Sequence, residues 1–343
     1  MAGFEYGDPH PSVSDVTARR GRALLRLAAH FEGVAAAAAK LDKLGHESSA
    51  EALRRFDREF ENIQAGWAWA SEHWEASRDA AELCQDFPLR AAHLLDLRLP
   101  VQTRVVWLER AVQASRRLGD RKREGRALGN LGLAYKDLGD IRRAIECHER
   151  HLDIARGVGD RRGEGDALGN LASATSRLGE IEASIRYSEQ ALEIIREFKD
   201  RRKEGMALGN LGIAYKNLGD LKKAISLHEQ HLAIAREAGD RRGEGMALGN
   251  LGLAYHKLGD SRSAIRYHMQ RITIALEIGD RLGESDGKWN LALSLADIGD
   301  FQAAVQSAEE SLAYLETICH PWVEEDRATV AGWRDAAVGR RPS

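Results

Sequence analysis

From Gly119 onward the chain is punctuated at a fixed interval. Gly119-Asp120, Gly159-Asp160, Gly239-Asp240 and Gly279-Asp280 fall in a 40-residue register, with Lys199-Asp200 in the remaining slot. A second series, Gly139-Asp140, Gly219-Asp220, Gly259-Asp260 and Gly299-Asp300, runs 20 residues out of phase, with Gly179-Glu180 in its gap. Residues 200–239 and 240–279 are identical at 25 of 40 aligned positions, so this part of the chain is a repeat array.

The punctuation has a physical reading. Glycine suits the left-handed position just past a helix C-terminus. Aspartate suits the N-cap of the next helix, where its carboxylate accepts orphan backbone N–H groups. The chain therefore reads as helix, two-residue turn, helix, with helices of about 18 residues, near 27 Å long. One is expected over 161–178 and the next over 181–198. No proline lies between Pro100 and Pro321, as uninterrupted helices require. The apolar residues agree. Ala207, Leu208, Leu211, Ala214, Tyr215 and Leu218 recur at helical spacing, as do Leu221, Ala224, Ile225, Leu232 and Ala235, with His228 the one polar member of that stripe. A single hairpin cannot bury such faces, but a stack can.

The run Leu-Gly-x-x-Tyr, then Gly-Asp, then Ala-Ile, resembles the tetratricopeptide repeat (TPR). The 40-residue form, with Leu-Gly-Asn at 128–130, 168–170, 208–210 and 248–250, is similar to Leu-Gly-Asn-rich adaptors, kinesin light chains and bacterial TPR sensors. The resemblance implies an all-α, right-handed superhelical solenoid of antiparallel helix hairpins. Five repeats are expected over 119–318, preceded by a degenerate TPR-like hairpin over 79–118. Residues 14–78 read as a separate N-terminal helical module after a flexible stretch over 1–13. Leu24, Leu25, Leu27, Ala28, Phe31 and Val34 give one amphipathic helix, and Leu53, Phe56, Phe60, Ile63, Trp67 and Ala70 a second, with a turn expected from Gly45 to Ser49. Four of the seven tryptophans, Trp67, Trp69, Trp74 and Trp107, fall in this third, which points to different packing. The stretch from Phe60 to Ala70 looks like the helical segment next to the TPR part of bacterial STAND regulators, although no G-x-x-x-x-G-K-[ST] phosphate loop occurs in the sequence. Residues 319–343, with Pro321, Trp322, Val330 and Trp333, read as a capping helix and tail; a segment that folds into the groove is the alternative.

Composition excludes several function classes. Hydrophobic residues make up 43% and charged residues 30%, too apolar for a disordered chain. Lys plus Arg total 50 against 53 for Asp plus Glu, without the basic excess of a nucleic-acid binder. No apolar run approaches the roughly 18 residues of a membrane span. Three scattered cysteines and an acidic start without a secretory pattern point to a reducing, cytoplasmic setting. No catalytic motif, zinc spacing or cofactor signature is present, so no enzyme activity, cofactor or metal is expected. The pairs His148/His151 and His228/His231 are three apart on second helices; they give way to Ser188/Ala191 and His268/Arg271, so packing residues are expected rather than metal ligands.

One column stands out. Asn130, Asn170, Asn210, Asn250 and Asn290 occupy the same place in all five first helices, although Asn is a mediocre helix former. Duplication, or a hydrogen bond between repeats, would also preserve it; Asn290 persists where its neighbours diverge. A side-chain amide both donates and accepts, so a ladder of asparagines can pair with a peptide backbone whatever its sequence. In related TPR adaptors the matching residue faces the concave surface, and the resemblance implies that role here. Residues four before and three or seven after each Asn share its face. They are Arg126, Leu133 and Asp137 around Asn130, Met206, Ile213 and Asn217 around Asn210, and Met246, Leu253 and Lys257 around Asn250. Lys136, Lys216 and His256 lie one step round. The glycine before each of the first four asparagines is expected to clear the groove floor. The arrangement suits a protein or peptide ligand with apolar anchors and some acidic residues; the family's two-carboxylate clamp is not expected, because its Lys and Asn positions are Gly and Leu or Ile. The Arg column 121, 161, 201, 241, 281 and the Glu column 124, 164, 204, 244, 284 read as a solvated edge. The rival reading is a regulatory or sensor module of a STAND-like system.

Overall fold

The computed structural model describes residues 13–42, 46–318, 320–321 and 323–339. Sixteen helices and no strand are present among them, and the protein is an all-α repeat solenoid. The helices are α1 (Val13–Asp42), α2 (His46–His73), α3 (Arg78–Arg90), α4 (Ala92–Arg98), α5 (Val101–Leu118), α6 (Arg121–Asp137), α7 (Ile141–Gly157) and α8 (Arg161–Leu178). They continue with α9 (Ile181–Glu197), α10 (Arg201–Leu218), α11 (Leu221–Glu237), α12 (Arg241–Leu258), α13 (Ser261–Ile278), α14 (Arg281–Asp297), α15 (Phe301–Thr317) and α16 (Val323–Gly339). Contacts divide the chain into two compact units, the first ending at Asn170 and the second beginning at Leu171, so the division falls within α8.

The Gly-Asp step does what its chemistry predicts. Nine repeat-boundary glycines, from Gly119 to Gly299, have positive φ, and Lys199 takes the same conformation at φ 54°. The N–H of the following residue reaches back five residues, as Asp120 N to Ser115 O at 2.9 Å and Asp160 N to Ala155 O at 2.8 Å, which closes a Schellman turn. The aspartate then caps the next helix. Asp120 Oδ1 accepts from Arg123 N at 2.9 Å and Asp240 Oδ1 from Gly243 N at 3.0 Å. Glu180, one methylene longer, makes no such bond.

In the first unit α1 and α2 pair, and the core among α1 to α5 is built on Phe56, Ile63, Phe87, Leu94 and Trp107. Gly66 lets α2 meet α1 closely: a Cβ there would lie 3.3 Å from Ala28 Cα. Trp67 and Trp107 stack with ring centroids 4.3 Å apart. The expected turn over 45–49 is not where the sequence put it: His46 to Ser49 already belong to α2, and Gly45 lies outside the described residues. Ahead of the regular repeats, α3 pairs with α5, with the short α4 between them. Pro88 sits inside α3 and Pro100 precedes α5, so the chain cannot run as two unbroken helices here. Within the second unit Val323, Val330 and Trp333 of α16 pack inward, against Ala292, Ala308, Leu312 and Trp289. Trp322 and Cys319 lie outside the described residues.

The helices of a hairpin meet by a size match that recurs. On α6, Gly125, Gly129 and Gly132 present no side chain to Ile154, His151 and His148 of α7. Gly205, Gly209 and Gly212 of α10 do the same for Ile234, His231 and His228 of α11. On α12 and α13 the pairs are Gly245 with Ile274, Gly249 with Arg271 and Gly252 with His268. A Cβ on Gly212 would lie 2.5 Å from His228 Cε1, a distance that cannot be accommodated without displacing the ring. The two repeats that lack the buried histidine carry Ala172 with Ser188 and Ala292 with Ala308 in place of the glycine and the imidazole, all buried. The histidines are thus packing residues, as their breakdown across repeats implies. Of the four glycines before the asparagines, however, three do not clear a groove floor. Gly129, Gly209 and Gly249 face the second helix of their own hairpin, and a Cβ on Gly169 would meet nothing within 4 Å.

The Arg and Glu columns also differ from expectation. They form joints between hairpins rather than a solvated edge. Glu124 accepts from Arg116 Nε and Arg121 Nη1, both at 2.6 Å, and is buried. Glu204 is held by Arg196 at 2.9 Å and Arg201 at 2.6 Å, Glu244 by Arg236 at 2.8 Å and Arg241 at 2.5 Å, and Glu164 by Arg156 and Arg161, both at 2.9 Å. Burial works against the charge of Glu164 and Glu204, but the two guanidinium bonds outweigh it and hold each carboxyl below its usual range. The second arginine of each clamp lies 40 residues from the last, at a position unremarked in the sequence. In the final repeat it is replaced by Leu276, and Glu284 turns instead to Lys288 at 2.7 Å.

Two outcomes follow from the size match. Gly212→Ala is expected to lower stability by about 1–3 kcal/mol despite alanine's better helix propensity. Gly212→Ala with His228→Ser, the pairing found at Ala172 and Ser188, should recover most of the loss in thermal denaturation. Burial also pushes the His148 and His228 imidazoles down to about 3 and that of His268 to about 4. These rings stay neutral in the folded chain while the unfolded chain takes up protons below about 6.5. Their contribution is therefore complete above pH 6.5 and is lost as pH falls towards 3, at about 1.4 kcal/mol per pH unit for each ring. Melting temperatures followed from pH 7 to 4 should fall less steeply in the Gly212→Ala/His228→Ser variant.

Candidate functional site

In the second unit, first helices lie side by side: α10 against α12 and α12 against α14. Asn210 on α10, Asn250 on α12 and Asn290 on α14 are each half-buried. Met206 and Met246, four residues before the first two, stand out into solvent at 54% and 49% exposure. Ile213 and Leu253, three residues after, are half-buried. One-turn spacing on adjacent parallel-running repeats thus brings amide and apolar groups onto one helix layer. Met246 also borders a cavity of about 200 Å³ shared with Arg271, Leu282 and Asp286. Burial there pushes the Asp286 carboxyl above its usual range, against the pull of Arg271.

The cationic side chains are less available than the sequence implies. Lys257 Nζ donates to the Lys216 carbonyl at 3.2 Å, so it caps the last turn of α10. Lys216 is half-buried, and burial, with the Lys257 charge second, pulls its pKa down. His256 Nδ1 lies 3.0 Å from Asp297 Oδ2. The amide of Asn290 donates to the Asp286 carbonyl of its own helix at 2.9 Å. The mildly basic wall expected here is therefore largely tied up in joints between neighbouring first helices.

In the first unit, Asn130 on α6 and Asn170 on α8 are half-buried, Arg126 is exposed and Lys136 is half-buried. Asn130, Leu133 and Asp137 border a cavity of about 180 Å³ completed by Pro88, Leu95, Asp96, Leu99, Arg104, Trp107 and Leu108. Sequence reasoning missed this cavity because half of it comes from α4 and α5, where the repeat has degenerated. Its one legible signal was Arg104, a charged residue amid an otherwise apolar helical stripe.

Among the described residues no helix is long and apolar enough to cross a membrane, and no group of three or more His, Cys, Asp or Glu side chains could hold a metal ion. Cys84 and Cys147 are buried, and burial pushes their thiols up to about 12 and about 11.

This arrangement of paired helices in 40-residue units is a repeat scaffold. Residues 106–157, 163–237 and 204–277 match the tetratricopeptide repeat family, and the chain is a tetratricopeptide repeat protein. No curated protein is a significant match. Among solved structures, a Signal Transduction ATPase with Numerous Domains (STAND) protein with a tetratricopeptide repeat sensor, from Pyrococcus horikoshii, is similar with a TM-score of 0.60 at 17% identity. The match covers 85% of this chain and 44% of that one, so this chain spans less than half the length of that protein. Aspartyl phosphate phosphatase F from Bacillus subtilis matches with a TM-score of 0.63 at 15% identity, over 98% of this chain and 92% of that one. A Rap protein complexed with Competence and Sporulation Factor matches with a TM-score of 0.57 at 13% identity, over 94% and 100%. At these identities the likeness is one of fold.

Proposed function

We propose that the protein is a non-enzymatic binding module that holds a protein or peptide segment against the first-helix layer. The observation that carries this reading is the pairing of half-buried Asn210 and Asn250 with the exposed Met206 and Met246 on adjacent helices. Amides would take the ligand backbone, and the methionines, whose flexible thioethers adapt to varied shapes, would take its apolar side chains. With Lys257 and His256 already engaged, apolar anchoring outweighs charge in this part of the surface. Asn290, bonded to its own helix, has to release that bond to take part. Asn130 and Asn170 belong to the same column, and the reading extends to them by repeat register.

A second reading, a sensor that regulates a separate effector, is favoured by the extent of the likeness to a STAND protein with a repeat sensor and to a Rap protein complexed with Competence and Sporulation Factor. It covers the helices before the repeats as well as the repeats themselves.

Asn210→Ala/Asn250→Ala is expected to keep wild-type helicity and melting temperature by circular dichroism. The same variant should lose, by tenfold or more, a partner that the wild-type protein retains in a pull-down from source cells. Equal capture by both forms would sink the Asn-lined site and shift weight to the sensor reading.

A further inference from the structure

The cavity among α3, α4, α5 and α6 is built differently from the rest of the repeat surface. Its floor is apolar: Leu95, Leu99, Trp107 and Leu108 are buried, and Pro88 and Leu133 complete it. A volume of about 180 Å³ is enough for one ring-sized group, since an apolar cavity of roughly 150 Å³ accepts benzene. Its rim is charged and unbalanced. Arg104, only 12% exposed, lies between two carboxylates, with Nη1 2.7 Å from Asp96 Oδ1 and Nη2 2.9 Å from Asp137 Oδ2. Asp96 and Asp137 are 51% and 48% exposed, so each retains lone pairs open to a ligand. Two carboxylates against one guanidinium leave a surplus negative charge at the mouth of an apolar hole. Arg104 Nε, shut away from solvent, has no acceptor among the described residues. The half-buried amide of Asn130 borders the same space.

We propose that this cavity binds the N-terminal residue of a peptide. An apolar side chain fills the space over Trp107, and the free α-ammonium sits on the Asp96 and Asp137 carboxylates. Arg104 Nε, which has no acceptor, gains one in the first peptide carbonyl once the guanidinium turns towards the cavity, and the Asn130 amide meets the next peptide group. An acidic ligand is disfavoured by the surplus charge, and a purely apolar one would leave the rim unused. A simple amine with a ring would use the floor and the carboxylates but not Arg104 or Asn130. The inference shares Asn130 with the peptide-binding reading above but uses no residue of the second unit, so the two can fail separately.

Titration calorimetry with Phe-Ala-Ala-amide as the probe tests it on the full chain. Binding is expected, weakened at least tenfold by acetylating the peptide N-terminus and at least tenfold by Asp96→Asn or Asp137→Asn. Asn210→Ala/Asn250→Ala separates this cavity from any uptake of the probe by the methionine-bordered layer. Acetylation alters the ligand rather than the protein, so it remains informative if an aspartate variant misfolds. Equal binding of the acetylated peptide, or no binding of the free one, overturns the proposal. Phenethylamine binding as tightly as the peptide would overturn the peptide assignment in favour of a small amine. Loss of probe binding in the Asn210→Ala/Asn250→Ala variant would place the probe on the methionine-bordered layer instead.

Discussion

The absence of side chains at three successive turns of a first helix is what lets three of the hairpins, α6 with α7, α10 with α11 and α12 with α13, close. Gly205, Gly209 and Gly212 form a furrow in α10, and Ile234, His231 and His228 of α11 fill it. Glycine costs up to about 1 kcal/mol inside a helix, a cost offset here by helices that come close enough to bury large side chains completely. The arrangement makes the hairpin a unit of matched volumes. A change on one side requires a change on the other, and the Ala172/Ser188 repeat realises that alternative. It also explains a polar residue at the centre of an apolar core: a neutral imidazole is flat enough to lie over a bare glycine backbone.

Hairpins are then joined by two different devices. The Gly-Asp turn fixes the path of the chain through a Schellman closure and an aspartate cap. The Arg-Glu-Arg clamps tie the end of one hairpin to the start of the next. A buried carboxylate with two guanidinium partners is directional, and its removal would leave two arginines facing each other. Exposed ion pairs contribute little, but these carboxylates are largely buried, so each clamp constrains how successive hairpins meet. With second helices fastened in this way, the first-helix layer is left to present Asn, Met, Ile and Leu.

The candidate sites are legible to different degrees for physical reasons. The asparagine column is visible in the sequence because repetition exposes any residue that does not vary. Its neighbours Met206 and Met246 follow from helical spacing alone. What spacing does not reveal is which polar groups are already engaged. Lys257 serves a neighbouring helix end, His256 faces Asp297, and Asn290 bonds to its own backbone; each partner lies on another helix or depends on a rotamer. The cavity at Trp107 and Arg104 is less legible still, since α4 and α5 have lost the repeat that made the rest readable.

The sequence by itself determined the all-α hairpin array, its 40-residue register, its turns and caps, and the asparagine column. These rest on interactions within a few residues, where helix geometry converts spacing directly into position. Only the tertiary structure decided that most of the glycines serve the hairpin interior rather than a ligand, that the Glu column is shielded and clamped by exposed arginines, and that Asp96, Arg104, Trp107 and Asp137 surround one cavity. Those facts depend on which side chains meet across helices, and residues far apart in the chain come together only through the packing of volumes and charges in three dimensions.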